Sequence, residues 1–287
     1  HERGDRVLVY RPGPTLAATG RPRTVPTRQT ARIQLASFQQ QELTLIPPDD
    51  LKKLLAMHGG FLCTCFLAEA AWRAGMHHLT GSIARLVGLV DGHASLAVAG
   101  GHVMFVPDDD ALGRSLKKDD YDRVQLGIVK SYVRPGDVII DVGASCGPYI
   151  LPAAVASGVE GLVVAFEPSV QSYRLLDANT RLHDLTNVVT VRGGAWNVFR
   201  KGSLYLDPSN HGNHSLHPYE GRTAQECGLY TVDQIIQQIA PQRPVRLLKI
   251  DTQGAEIEVL RGARQTIDAS PVMALHVEVW PIGLRQF

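Results

Sequence analysis

Beyond Arg134-Pro135-Gly136-Asp137 the chain alternates short β-branched runs with stretches of helical periodicity, the order that repeated βαβ units produce. The predicted strands are VIIDVG, GLVVAFEP, VVTVRGGA, VRLLKIDT and VMALHVEV. The helices between them are PYILPAAVASG, SVQSYRLLDANTRLH, TVDQIIQQIA and AEIEVLRGARQTID. Runs that are apolar at successive positions, such as VIID and LLKI, have no polar face to give to water, so helices must cover the sheet on both sides. The pattern predicts an α/β fold with a doubly wound, mostly parallel sheet, preceded by a small N-terminal region of helices and a β-hairpin.

That N-terminal region has two parts. Residues 1–48 scatter Pro12, Pro14, Pro22, Pro26, Pro47 and Pro48 among Arg and Thr, which breaks up helix and central strand, so an irregular arm with one strand over 6–10 is expected. From 49 to 90 helical spacing runs through LKKLLAMHG, FLAEAAWRAGMHHL and SIARLVGL. SLAVAGGHVMFVP then reads as a hairpin turning at Gly100-Gly101, and DYDRVQLGIVKSYV as a helix. The expected division is 1–48 as the arm, 49–120 as the helical layer with the hairpin, and 121–287 as the cofactor-binding domain.

Composition narrows the classes. An apolar fraction of 44% can fill a sizeable core. With 29 Lys plus Arg against 28 Asp plus Glu, the chain has no general field to gather a polyanion, so nucleic acid is not the expected partner. Four cysteines in 287 residues are too few for a disulfide scaffold and suggest reduced thiols. No apolar run reaches the roughly 20 residues that span a bilayer, and no signal-peptide pattern opens HERGDRVLVYRPG, so a cytoplasmic address is the simplest expectation.

The most informative segment is VIIDVGASCGPYIL, in which a buried strand runs into Asp141-x-Gly143-Ala144-Ser145-x-Gly147 and then a helix. Glycine permits a tight strand-to-helix turn and lets a ligand approach the backbone. Glu167, at the end of the next strand, is placed to accept hydrogen bonds from both hydroxyls of a ribose. A dinucleotide-binding loop would have glycine where Ser145 stands, and the Asp141 carboxylate would repel a pyrophosphate. An adenosine-containing cofactor with a positive centre, S-adenosylmethionine, fits the same carboxylate, and Asp141, Gly143, Ala144, Ser145, Gly147, Glu167 and Asp251 form the expected cofactor set.

A second motif, LLKIDTQGAEIEVLRGA at 247–263, together with the first resembles the FkbM-type methyltransferases. That family carries a DxGAxxG loop, an acid-Pro pair here matched by Glu167-Pro168, and a KIDxEGxExxxLxGA block. The block stands as Lys249-Ile250-Asp251, Gly254-Ala255-Glu256, Leu260 and Gly262-Ala263, with Gln253 where the family commonly has Glu. The resemblance covers roughly residues 95–287. It implies a class I methyltransferase fold, S-adenosylmethionine as cofactor, and methylation of a small-molecule, sugar or natural-product hydroxyl. Class I enzymes usually finish on an antiparallel hairpin, whereas this sequence stops at WPIGLRQF after its fifth strand.

Methyl transfer to a hydroxyl requires in-line placement and removal of a proton. Asp251, at the carboxyl end of its strand, is the candidate for binding the methionyl amino group or acting as base, with helix N-capping as the alternative. His214, in the loop NHGNHSLHP with His211 and His217, is the candidate base for the hydroxyl proton. The histidine spacing also suggests a metal, but no carboxylate or cysteine lies at ligand spacing, so none is expected. Cys146 reads as a packing residue, and His276 and Glu278 as pocket-lining or cross-sheet residues. Two other functions share the fold: a nucleotide-linked oxidoreductase and a non-catalytic binding module. For the N-terminal layer three roles stand open: contact with the acceptor, a homodimer, or cover for the sheet.

Overall fold

In the computed structural model, which describes residues 9–10, 94–108 and 110–279, strand β1 (Val9–Tyr10) is followed by the hairpin β2 (Ala94–Ala99) and β3 (His102–Pro107). Gly100 and Gly101 form its turn, both with positive φ, as the twist of a two-residue hairpin requires. The predicted helical layer at 49–90 lies outside the described residues. Two helices follow, α1 (Ala111–Lys117) and α2 (Arg123–Tyr132). The alternating units are then β4 (Val138–Val142), α3 (Ile150–Ser157), β5 (Leu162–Glu167), α4 (Val170–Leu182) and β6 (Val188–Arg192).

A different layer interrupts the alternation. Short β7 (Gly194–Ala195), β8 (Arg200–Leu206) and β9 (Thr223–Tyr230) form a three-stranded sheet ordered β7-β9-β8. The chain returns through α5 (Val232–Ile239), β10 (Val245–Ile250), α6 (Glu256–Gly262), α7 (Arg264–Asp268) and β11 (Ala274–Val277). Two expectations change in detail. VVTVRGGA is divided at Gly193 between two sheets, and AEIEVLRGARQTID is two helices rather than one.

The main sheet is ordered β1-β6-β5-β4-β10-β11, and all its strands are parallel except β1, which pairs antiparallel with β6. From β4 the chain winds outward through β5 and β6, then crosses to β10 and β11 on the other side. The carboxyl ends of β4 and β10 therefore flank the topological switch point, where an open α/β sheet leaves a crevice. Alternate positions of β4 explain the double winding: Val138, Ile140 and Val142 pack with Val232, Ile235 and Val259, while Ile139 packs with Leu126, Val129 and Ala153 on the opposite face.

The β2–β3 hairpin is tied to this core by Asn179 of α4. Its side chain accepts from Phe105 N at 2.6 Å and donates to the carbonyls of Phe105 and Cys146. A buried amide that makes all these bonds fixes the hairpin against the turn that follows β4.

Candidate active site

The cleft at the switch point has a volume of about 710 Å³ including its open mouth, a size suited to a nucleoside-sized ligand. Gly143, Ala144 and Ser145 form one wall, Glu167 and Pro168 another, Lys249 and Asp251 to Gln253 the floor, and His211, Gly212, His214, Leu204 and Leu216 the far side.

Gly143 has φ 88°, and a Cβ there would lie 1.9 Å from the carbonyl oxygen of Asp251. The ends of β4 and β10 touch at this point, Asp251 N donating to Val142 O at 2.9 Å. Gly143→Ala combines left-handed strain of about 1–3 kcal/mol with a backbone clash. We expect a lowered Tm and no calorimetric binding of S-adenosylhomocysteine; normal binding would show that the close approach does not shape the site. Gly147 and Asp141, expected on the wall, lie beneath it. Gly147 packs under Leu176, and Asp141 is 2% exposed and faces Lys249.

Four backbone amides of the turn are spent within the protein. Gly143 N and Ala144 N both donate to Phe166 O, Gly147 N to Ala144 O, and Ser145 N to Glu167 Oε2 at 2.7 Å. Phosphate-binding loops work by pointing such amides at the ligand. Here they hold the turn to β5.

Glu167 takes Ser145 N–H on one oxygen and Ser169 N–H on the other, which orients the carboxylate across the wall and leaves each oxygen a further lone pair. Burial pushes its pKa up to about 7, against the lowering effect of the Ser169 and Ser145 amides. Two pH effects of opposite sense follow. Ligand hydroxyls require the ionised form, so affinity for S-adenosylhomocysteine should fall as pH drops through about 7; a flat calorimetric profile would contradict this. Folding stability should instead decline as pH rises from 4.5 to about 7, because over that window the folded state holds the proton that the unfolded chain releases.

The floor contains a buried ammonium whose role local sequence does not reveal. Lys249, 4% exposed, stands between two carboxylates, 3.4 Å from Asp141 Oδ1 and 3.5 Å from Asp251 Oδ2, with Tyr149's ring 4.5 Å from its Nζ. Burial raises the Asp141 pKa, which Lys249 partly offsets, while both carboxylates raise that of Lys249 against its own burial. The sequence signal was the Lys at the head of the KID block: an ammonium in a buried strand requires a buried partner.

Asp251 does not cap the following helix. Glu256 folds back to accept from Thr252 N, Gly254 N and the Thr252 hydroxyl, satisfying the turn itself. Asp251 is left in the cleft floor, where Gln253 Nε2 donates to its Oδ1 at 2.9 Å. Gln253 thus acts as a donor to a carboxylate, and a negative charge is not needed for that contact.

Residues 141–281 match the family of the methyltransferase FkbM domain. This stretch is a methyltransferase FkbM domain. The domain is that of an S-adenosylmethionine-dependent methyltransferase, and S-adenosylmethionine is its cofactor. No curated protein matches the chain. Among solved structures, Trm5b from Pyrococcus abyssi is similar at 19% identity over 35% of this chain and 28% of its own, with TM-score 0.29. TYW2 from M. jannaschii in complex with AdoMet is similar at 19% identity over 35% of this chain and 43% of its own, TM-score 0.27. Coclaurine N-methyltransferase bound to N-methylheliamine and SAH is similar at 18% identity, over 57% of this chain and 49% of its own, TM-score 0.24. The chain spans less than half the length of each of these three.

On the far side of the cleft the FkbM-type domain carries the histidine loop at the tip of the β8–β9 hairpin. His211 to Asn213 form one 3-10 turn, and Arg222 braces it with a 2.7 Å ion pair to Asp207 and a bond to Asn213 O. His214, expected as a base, is placed unfavourably for that role. Its Nδ1 accepts from Asp207 N at 3.0 Å, which puts the ring proton on Nε2, and Nε2 is enclosed by protein. Burial lowers its pKa to about 4, so the ring is neutral. Cys146 is fully buried, its thiol pushed up to about 12 by burial, and packs as expected of a core residue. His276 packs edge-on against Tyr149, and neither it nor Glu278 lines the cleft. Among the described residues no three His, Cys, Asp or Glu side chains are grouped to hold a metal, and no helix is long and apolar enough to cross a membrane.

Proposed function

We propose that this protein is an S-adenosylmethionine-dependent O-methyltransferase that acts on a hydroxyl of a small-molecule, sugar or natural-product acceptor. The observation that carries the cofactor side is the charge balance around the glycine turn: two carboxylates, Asp141 and Asp251, flank one ammonium, Lys249, and a third, Glu167, stands on the cleft wall with backbone amides as its partners. Surplus negative charge, with the amides of Gly143, Ala144, Ser145 and Gly147 already bonded within the protein, favours a cationic nucleoside over a diphosphate. This speaks against the nucleotide-linked oxidoreductase. In the proposed arrangement Glu167 accepts from the ribose hydroxyls, the turn from Gly143 to Ser145 packs along the nucleoside, and Asp251, held by Lys249 and Gln253, faces the methionyl amino group. The bound cofactor supplies an electrophilic methyl on a sulfonium. The protein's part is to hold the acceptor in line with that methyl and to shield both from water.

The hydroxyl assignment rests on the acceptor side, where Leu204, Leu216 and two imidazoles form the wall. Asp110, the carboxylate behind that wall, has its oxygens turned to three N–H donors, so it makes no direct bond to an ammonium acceptor. We take the described residues from 121 onward as the body of the catalytic unit. The proposal is tested by incubating the protein with S-adenosylmethionine and separate pools of hydroxylated and amine acceptors, and reading methylated products by mass spectrometry. O-methylated products are expected. Methylated amines alone would overturn the hydroxyl reading, and tight NADH binding without S-adenosylhomocysteine binding would overturn the cofactor reading.

A further inference from the structure

The loop histidines are equivalent in sequence, but the fold treats them differently. His211 meets Asp110, the N-cap residue of α1, at two points: Asp110 Oδ2 accepts from His211 N at 2.7 Å and also contacts Nδ1 of the His211 ring. Asp110 is itself 3% exposed, and its Oδ1 accepts from Gly113 N at 2.6 Å. A carboxylate facing Nδ1 requires that nitrogen to carry the hydrogen, because two acceptors would repel. The neutral His211 ring therefore presents the lone pair of Nε2. Its side chain retains 15% exposure and lines the cleft beside Gly212, opposite the glycine turn. Two adjacent imidazoles, 5.5 Å apart between ring centroids, thus have opposite tautomers: His214 carries its proton on Nε2 and His211 keeps Nε2 free.

We propose that His211, held by Asp110, is the general base that takes the acceptor's hydroxyl proton. This rests on the O-methyltransferase reading. The acceptor oxygen forms the bond to the methyl carbon with its own electron pair, and the S–C bond breaks with its pair left on sulfur. The hydroxyl proton passes to His211 Nε2. The positive charge lost from sulfur thereby reappears on the imidazolium, next to the Asp110 carboxylate that stabilises it. The exposed edge of the ring then returns the proton to solvent. The charged and titratable groups that face His211 are Asp110 from the start of α1 and His214 from its own loop, with the Asp207–Arg222 pair behind.

Asp110 acts as a positioning residue. Asp110→Asn retains an oxygen to cap Gly113, but its NH2 group donates to Nδ1 and so forces the ring proton of His211 onto Nε2; it also gives up the bond from His211 N–H, a structural loss that thermal unfolding reads separately. The tautomer is read without any acceptor, by long-range nitrogen-15 NMR of the imidazoles in the full chain. The wild type should show His211 protonated on Nδ1, and Asp110→Asn should show it on Nε2. Diethyl pyrocarbonate, which attacks an accessible imidazole lone pair, should modify His211 and spare His214. With any hydroxylated acceptor found to turn over, His211→Gln and Asp110→Asn should each lower kcat by about 100-fold or more, with unchanged affinity for S-adenosylhomocysteine. An Nε2-protonated His211 in the wild type, or a His211→Gln variant of full kcat, overturns the base assignment while the O-methyltransferase reading stands. Methylation of amines alone would remove that reading, whatever the tautomer.

Discussion

Replacing Glu167 by alanine is expected to weaken binding of S-adenosylhomocysteine by about 100-fold or more, since two hydrogen bonds to a charged group contribute roughly 1.5–3 kcal/mol each. The substitution removes the proposed ribose acceptors. It also deprives Ser145 N–H and Ser169 N–H of their partner, so the glycine turn loses its tie to the start of α4. Glu167→Gln separates the two effects. One amide oxygen can keep one backbone bond, while the NH2 group opposes the other, so an intermediate loss is expected. Calorimetry reads both variants, and equal affinity in wild type and Glu167→Ala would remove the ribose assignment.

Lys249→Met is expected to have the largest effect on the fold. Removing one member of a buried charge cluster typically costs about 3–5 kcal/mol because the remaining charges lose their compensation. Asp141, whose carboxylate is enclosed, would keep no cation nearby. Thermal unfolding should drop on the order of 10 °C. The gap from wild type should narrow as pH falls, because burial raises the Asp141 pKa and its protonation removes the uncompensated charge. Asp141→Asn in the same background should recover part of the loss. An unchanged Tm in Lys249→Met would mean that the charges are not coupled as the distances imply.

The legible part of this fold is the part in which burial is one-sided in chemistry. β4, β5 and β10 are apolar at successive positions because helices cover both faces, and that pattern admits few other structures. The glycine turn was equally readable, since Gly143 is required by backbone contact with Asp251. β8 and β9 are hard to read because most of their positions are exposed or half-buried, with Leu204, Cys227 and Leu229 as their buried positions, and so lack a clear apolar alternation. The histidine segment is legible as a loop, but its position over the cleft depends on that hairpin. His214 and His211 differ through Asp207 and Asp110, and Asp110 lies 101 positions from His211 in the chain, beyond any local pattern. Lys249 was quoted within a motif but given no role, because its carboxylate partner Asp141 sits on a different strand.

The most direct test is a crystal structure of the full chain with S-adenosylhomocysteine. The account predicts the nucleoside in the crevice between the carboxyl ends of β4 and β10, its ribose hydroxyls on the Glu167 carboxylate and its amino group toward Asp251. A ligand bound elsewhere, or one seated there with Glu167 out of contact, would contradict it.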